Sequence, residues 1–224
     1  LNGIRLILQG SSSSSVANVA LNHMLGFYGG DMAIAVLGVI YKTTLFLAMP
    51  FFGLNQGMQP IVGYNFGAEK YDRILKTIKL GFVYSVIYGV IAIILFEIFP
   101  REIFSLFTKD KALLSEGPKA MRIILSMMWL LGISTTSIGI HQAMGKSRAA
   151  FLLAILRWVL LVTPLIFILP RIGGLGLDGI WLTFPVADLL TALISIWVLM
   201  QTLRKSNIKT RFTPKISAKN QSLS

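Results

Sequence analysis

Residues Met49–Arg73 read MPFFGLNQGMQPIVGYNFGAEKYDR, and they follow a long apolar run that begins near Met32. The stretch holds two prolines, four glycines, two asparagines and two glutamines. Proline and glycine weaken a helix, and side-chain amides carry donors and acceptors that must be satisfied. Such a segment, continuous with a helix long enough to cross a bilayer, needs an internal partner or water beside it.

The rest of the chain makes lipid the expected solvent. Of its 224 residues 54% are hydrophobic and 13% charged, and the mean hydropathy is +0.72. A soluble domain holds about a quarter charged residues. A hydrocarbon core of ~30 Å needs about 20 mostly apolar helical residues per crossing. Six stretches reach that length: Ile4–Gly26, Met32–Gly53, Leu80–Phe99, Ala120–His141, Ala149–Leu169 and Gly179–Leu203. The expected fold class is all-α, a polytopic membrane helix bundle. Period-two alternation is absent and the runs are too long for a β-barrel.

The chain has no cysteine, which excludes disulfides and thiolate metal sites. Its formal charge of +12 is not spread evenly. Lys70, Arg73, Lys76 and Lys79 follow the second stretch, Lys146 and Arg148 the fourth, and Arg204, Lys205, Lys209, Arg211, Lys215 and Lys219 the sixth. If every stretch crosses, these loops share one side, facing only Arg101, Lys109, Lys111, Lys119 and Arg171 on the other. The positive-inside rule puts both ends of the chain in the cytoplasm. The charge therefore reads as topology, not as a nucleic-acid surface. Residues 1–203 are expected to form one six-helix unit and 204–224 a basic, disordered cytoplasmic tail. The chain opens on Leu with no basic leader or small-residue cleavage site, and reads as a fragment or one half of something larger.

Polar residues recur in phase with a helix. Ser11, Ser15, Asn18 and Asn22 fall within a narrow arc of the first stretch, with Ser14 beside it. Lys42, Met49, Gly53, Gln56 and Pro60 share a face of the second, and Trp181, Asp188, Thr191 and Ser195 a side of the sixth. Such stripes either line water or form a buried network between helices. Lys42 and Asp188 are ionisable groups near mid-span, where a charge costs ~2.5–3.5 kcal/mol. Their similar depth and opposite charge suggest a pair, or two groups that take turns with a proton or cargo. Glu97 and Arg157 lie close enough to span ends to reach headgroups, and His23 and His141 read as interfacial. Pro50, Pro60, Pro164 and Pro185 inside spans predict kinks. The segment from Arg101 to Ala120 reads as a short interfacial helix, with Pro118 starting the fourth span. The spacings of metal sites, phosphate loops and nucleophile elbows are missing, so no enzyme site is expected.

GLNQGMQPIVGYNFGAEKYDRI (Gly53–Ile74) resembles a signature of the multidrug and toxic compound extrusion (MATE) transporters. HQAMGKSRAAFLLAILRWVLLVTPLIFILP (His141–Pro170) and GLDGIWLTFPVADLL (Gly176–Leu190) are similar to late helices of that family. The resemblance runs from Ile4 to Leu203 and implies the C-terminal six-helix lobe of a twelve-helix exporter, with an N-terminal lobe of the same protein as partner. It further implies export of amphiphilic or cationic small molecules from the cell membrane, driven by Na⁺ or H⁺ entry, with no other cofactor. Asn18, Asn22, Lys42, Gln56 and Gln59 are candidates for cargo contact, Asp188 for ion coupling or a charge pair, and Pro60, Gly63 and Gly67 for conformational change. Some branches of the family carry an acidic ion site on helices corresponding to Ile4–Gly26 and Ala120–His141. Neither stretch holds Asp or Glu here, so coupling is expected to rest on an acid elsewhere. The competing readings are a lipid-linked saccharide flippase of related fold, which would need a strongly cationic cavity, and a membrane scaffold that transports nothing.

Overall fold

The computed structural model describes the backbone of residues 2–206 and the side chains of residues 17–206. Its described elements are all helical. They are α1 (Asn2–Gly67), α2 (Tyr71–Ile98), α3 (Pro100–Ser105), α4 (Lys111–Leu125), α5 (Trp129–Ala143) and α6 (Ser147–Ile155), then a π-helical stretch (Leu156–Val162), α7 (Thr163–Ile168), a 3₁₀ stretch (Leu169–Gly174) and α8 (Gly176–Lys205). Ala17–Gly67, Tyr71–Ile98, Ser147–Gly174 and Gly176–Lys205 are each long and apolar enough to cross a membrane. Together α4 and α5, bent by 48° at their junction, make a fifth such stretch. The polytopic all-α bundle expected from hydropathy is what the chain forms.

Helix α1 is two arms. Gly30 has φ 62° and ψ −163°, a conformation open to glycine and closed to residues with a Cβ. The Tyr41 hydroxyl donates to Asn18 Oδ1 at 3.2 Å. On a continuous helix these residues would stand ~35 Å apart at 1.5 Å per residue, so arms 2–29 and 31–67 double back on each other. The turn lies in FYGGD, where the sequence places it. Leu21 and Leu25 of one arm share a buried core with Leu37 and Ile40 of the other, and with Met121, Ile166 and Ile180.

Several helix details differ from the sequence reading. Pro50 and Pro60 leave their helix unbroken: among the described residues of α1, Gly30 alone has non-helical backbone. A proline leaves the carbonyl four residues earlier without its N–H partner, here Phe46 and Gln56, and both are exposed. The disruption therefore falls where other donors can reach. Conversely, the fourth span does break, between α4 and α5, where no proline or glycine marks it. There the N–H groups of Ser126, Met128, Leu130 and Leu131 bond carbonyls three residues back, a tightening to 3₁₀ type. Finally, the fourth span is not started by Pro118 after a separate short helix: α4 supplies its first part. This helix starts at the Asp110 cap, whose side chain accepts from Ala112 N at 2.8 Å, and runs on through Pro118 into the span. The expected tail at 204–224 lies outside the described residues from 207 onward, while Arg204 and Lys205 end α8.

Helix α2 packs through small residues, Gly81, Ser85, Gly89 and Ala92, and leaves Val83, Ile87, Ile91 and Ile94 exposed. An exposed apolar face on a crossing-length helix suits lipid. Inside, Gly139 of α5 has Asn55 lying against it so closely that a Cβ would occupy the amide's place.

Candidate functional site

Two adjoining cavities open along arm 31–67. Phe52, Thr135 and Ile138 line both. The smaller, about 440 Å³, is rich in amides: Asn55, Gln56, Gln59 and Gln142. Asn55 Nδ2 donates to Thr135 O at 2.8 Å, and Gln59 Nε2 to Gln142 Oε1 at 3.1 Å, so two amides tie α1 to α5. Gln56 is exposed, and Pro60 leaves its carbonyl free for other donors. Lys42, Met49, Gly53, Gln56 and Pro60 are all exposed, whereas Thr43, Leu47, Phe51 and Met58 between them are buried. The helical phase read from the sequence is therefore correct, and this face is not sealed in dry packing.

The larger cavity, about 690 Å³, lies between arm 31–67, α5, the α6–π segment and α8, and Arg157 is its one charged lining residue. Arg157 Nε donates to Asp188 Oδ1 at 2.6 Å, with side chains 18% and 6% exposed. This ion pair replaces the expected pairing of Asp188 with Lys42. Depth along a helix does not fix direction around it, and Lys42 points out of the bundle while Asp188 points in. Arg157 does not snorkel to a headgroup. It lies 4.9 Å from the centre of the Trp158 ring, in cation–π contact.

The α8 stripe is the opposite of the α1 stripe. Trp181, Asp188, Thr191 and Ser195 are all buried, and of these only Thr191 reaches the large cavity. Ser137 Oγ donates to Ser195 O at 3.1 Å. His141, expected at an interface, is fully buried. Its Nδ1 lies 2.7 Å from Ser137 O and its Nε2 3.0 Å from Thr202 Oγ1. A carbonyl only accepts, so Nδ1 carries the proton and Nε2 receives one from Thr202. This seam welds α5 to α8.

Other predicted residues scatter. Asn18 is half-buried beneath Tyr41, and Asn22 and His23 are exposed. The side chains of Ser11, Ser14 and Ser15 lie outside the described residues. A Cβ on Gly63 would stand 3.3 Å from Ala143 O, so this glycine lets α1 approach the end of α5, while Gly67 ends its helix in open space. Sequence reasoning passed over Asn55 and Gln142. The signal for Asn55 was its place within QGMQP's polar neighbourhood; for Gln142 there was none without its partner.

The MatE family model matches residues 9–168. Multidrug export protein MepA of Staphylococcus saprophyticus is 29% identical over 185 residues, covering 82% of this chain and 40% of the relative. MepA of Staphylococcus aureus is 30% identical over 181 residues, covering 80% and 39%. Among solved structures, the MATE multidrug transporter DinF-BH is 34% identical with a TM-score of 0.74, covering 88% of this chain and 44% of that one. An outward-facing MATE family transporter of the MOP superfamily shares the fold at a TM-score of 0.83 and 16% identity, with 90% and 45% covered. The chain spans about two-fifths of the length of the curated relatives it matches. By the family match along most of its length, this chain belongs to the MATE family.

Proposed function

We propose that this chain is one six-crossing lobe of a twelve-helix multidrug exporter working by alternating access. The crossings are the two arms of α1, α2, the bent pair α4–α5, the stretch from α6 through α7, and α8. The excess of Lys and Arg after the second, fourth and sixth supports an orientation with both ends of the lobe in the cytoplasm. The observation that carries the reading is the exposed stripe Lys42, Gln56 and Pro60 on a helix whose other side is packed into the core. A lysine near mid-span is costly against acyl chains, and the amides and unpaired backbone that continue its face survive within a membrane where they border water. The stripe therefore faces an aqueous chamber shared with a second lobe.

Amphiphilic or cationic small molecules enter that chamber, where Asn22, Lys42, Gln56 and Gln59 meet them. Pro60, Gly63 and Gly67 lie where the long arm can bend between the two access states. Na⁺ or H⁺ entry drives the cycle, with the coupling acid in the other lobe. The test is dye efflux from efflux-deficient bacteria making the full-length protein, with the Na⁺ and H⁺ gradients collapsed in turn. Dye loss that depends on one gradient supports the reading. Retention equal to that of cells lacking the protein removes it.

A further inference from the structure

The larger cavity has an unusual division of hydrogen-bonding groups. Arg157 supplies its charged donors, beside the single indole N–H of Trp158. Asp188 does not line the wall but holds Nε from behind, and Trp158 covers the guanidinium face. Nη1 and Nη2 have no hydrogen-bond partner among the described residues. Nor are they sealed in protein: the buried side-chain polar atoms left unpartnered there are Asn65 Oδ1 and Ser195 Oγ. The end-on edge of the fork is thus open to the cavity, and π-helical turns such as the one bearing Arg157 recur at functional sites.

The remaining polar groups on the wall are acceptors. Thr44, Ser134, Thr135 and Thr191 each give their hydroxyl proton to a carbonyl of their own helix, and Tyr41 gives its proton to Asn18. Lone pairs and the faces of Phe52, Trp158 and Phe184 are what they leave for a guest. Asp188 neutralises Arg157, so the site carries no net charge. An anion would meet lone pairs, and a simple cation would leave the guanidinium edge unmatched. A molecule with both charges satisfies both ends, and about 690 Å³ lies within the range of drug-sized pockets.

We infer that this cavity binds zwitterionic aromatic molecules, their carboxylate held by Nη1 and Nη2 of Arg157 and their ammonium or iminium end by the hydroxyl lone pairs and ring faces. The assignment rests on the export reading, whose chamber the site adjoins. The geometry is that of two-pronged guanidinium–carboxylate recognition.

Rhodamine 110 carries a free carboxylate on a cationic xanthene frame, and rhodamine 123 is its methyl ester. Binding of each to the purified full-length protein is read by fluorescence anisotropy. The double variant Arg157→Gln/Asp188→Asn removes both charges without stranding either. It should weaken the acid about ten- to a hundredfold, the worth of a hydrogen bond to a charged group, and the ester less than about threefold. Arg157→Lys keeps the charge beside Asp188 but not the fork, and should weaken the acid selectively if the double variant does not fold. Equal loss for both dyes, or acid binding indifferent to Arg157, overturns the site. If cells export the dyes while Arg157 proves irrelevant, export stands and the site falls. If they export neither dye while the purified protein discriminates through Arg157, the site stands and export falls.

Discussion

Arm 31–67 of α1 and helix α8 each carry an internal proline, a charged residue and a polar stripe at helical spacing. In α1 the stripe is exposed; in α8 it is buried. Side-chain reach accounts for the difference. The α8 stripe uses Thr, Ser and Asp, and a short hydroxyl can return its proton to the carbonyl one turn earlier, as Thr191 and Thr183 do. Such groups enter a core already satisfied, and Asp188 enters only with Arg157. Lysine and glutamine have donors that their own helix cannot absorb. They stay at a wet face or find each other across helices, as Gln59 and Gln142 do.

The sharpest way to break this contrast is at the buried charge. Asp188→Ala strands Arg157 and should cost about 3–5 kcal/mol, seen as loss of folded protein on thermal unfolding in detergent. The paired change Arg157→Met/Asp188→Leu should recover most of it. A stable single variant would mean that α8 is not sealed. Next comes the seam: His141→Ala leaves partners on α5 and α8 unmatched, about 1–3 kcal/mol, whereas Lys42→Ala should leave the unfolding temperature unchanged. Similar shifts for both would erase the distinction between the two stripes.

Pro60→Ala should lower dye efflux severalfold while the amount of protein in the membrane holds, because it returns an N–H partner to Gln56 O and stiffens the arm at an exposed position. Parallel loss of efflux and protein would make the proline a folding residue only. The gentlest probe perturbs least. In a cysteine-free background, cysteine at position 42 or 56 should react with a water-soluble maleimide in whole membranes. Cysteine at 87 or 195 should not, the first facing lipid and the second protein.

Much of this was legible beforehand, for local reasons. Run lengths give the helices, FYGGD gives the turn at Gly30, and helical phase gives both stripes. What the sequence withheld depends on direction around a helix axis and on partners far away in the chain. By depth alone Lys42 matches Asp188 better than Arg157, which sits closer to a span end, and nothing near Asp188 in the sequence corrects that choice. His141 lies near a span end, yet Ser137 and Thr202 enclose it. The break at Ser126–Met128 carries no helix-breaking residue, and Pro60 carries one without a break.

The Arg157–Asp188 couple also bears on how the protein is made. Its members stand on successive helical stretches joined by the 3₁₀ segment Leu169–Gly174. Alone, each would enter the bilayer against ~2.5–3.5 kcal/mol; joined, they enter as a neutral hairpin. Pairing removes that cost, so insertion of the arginine-bearing segment is expected to be easier once α8 has been made, and the two helices to enter lipid more readily together than apart.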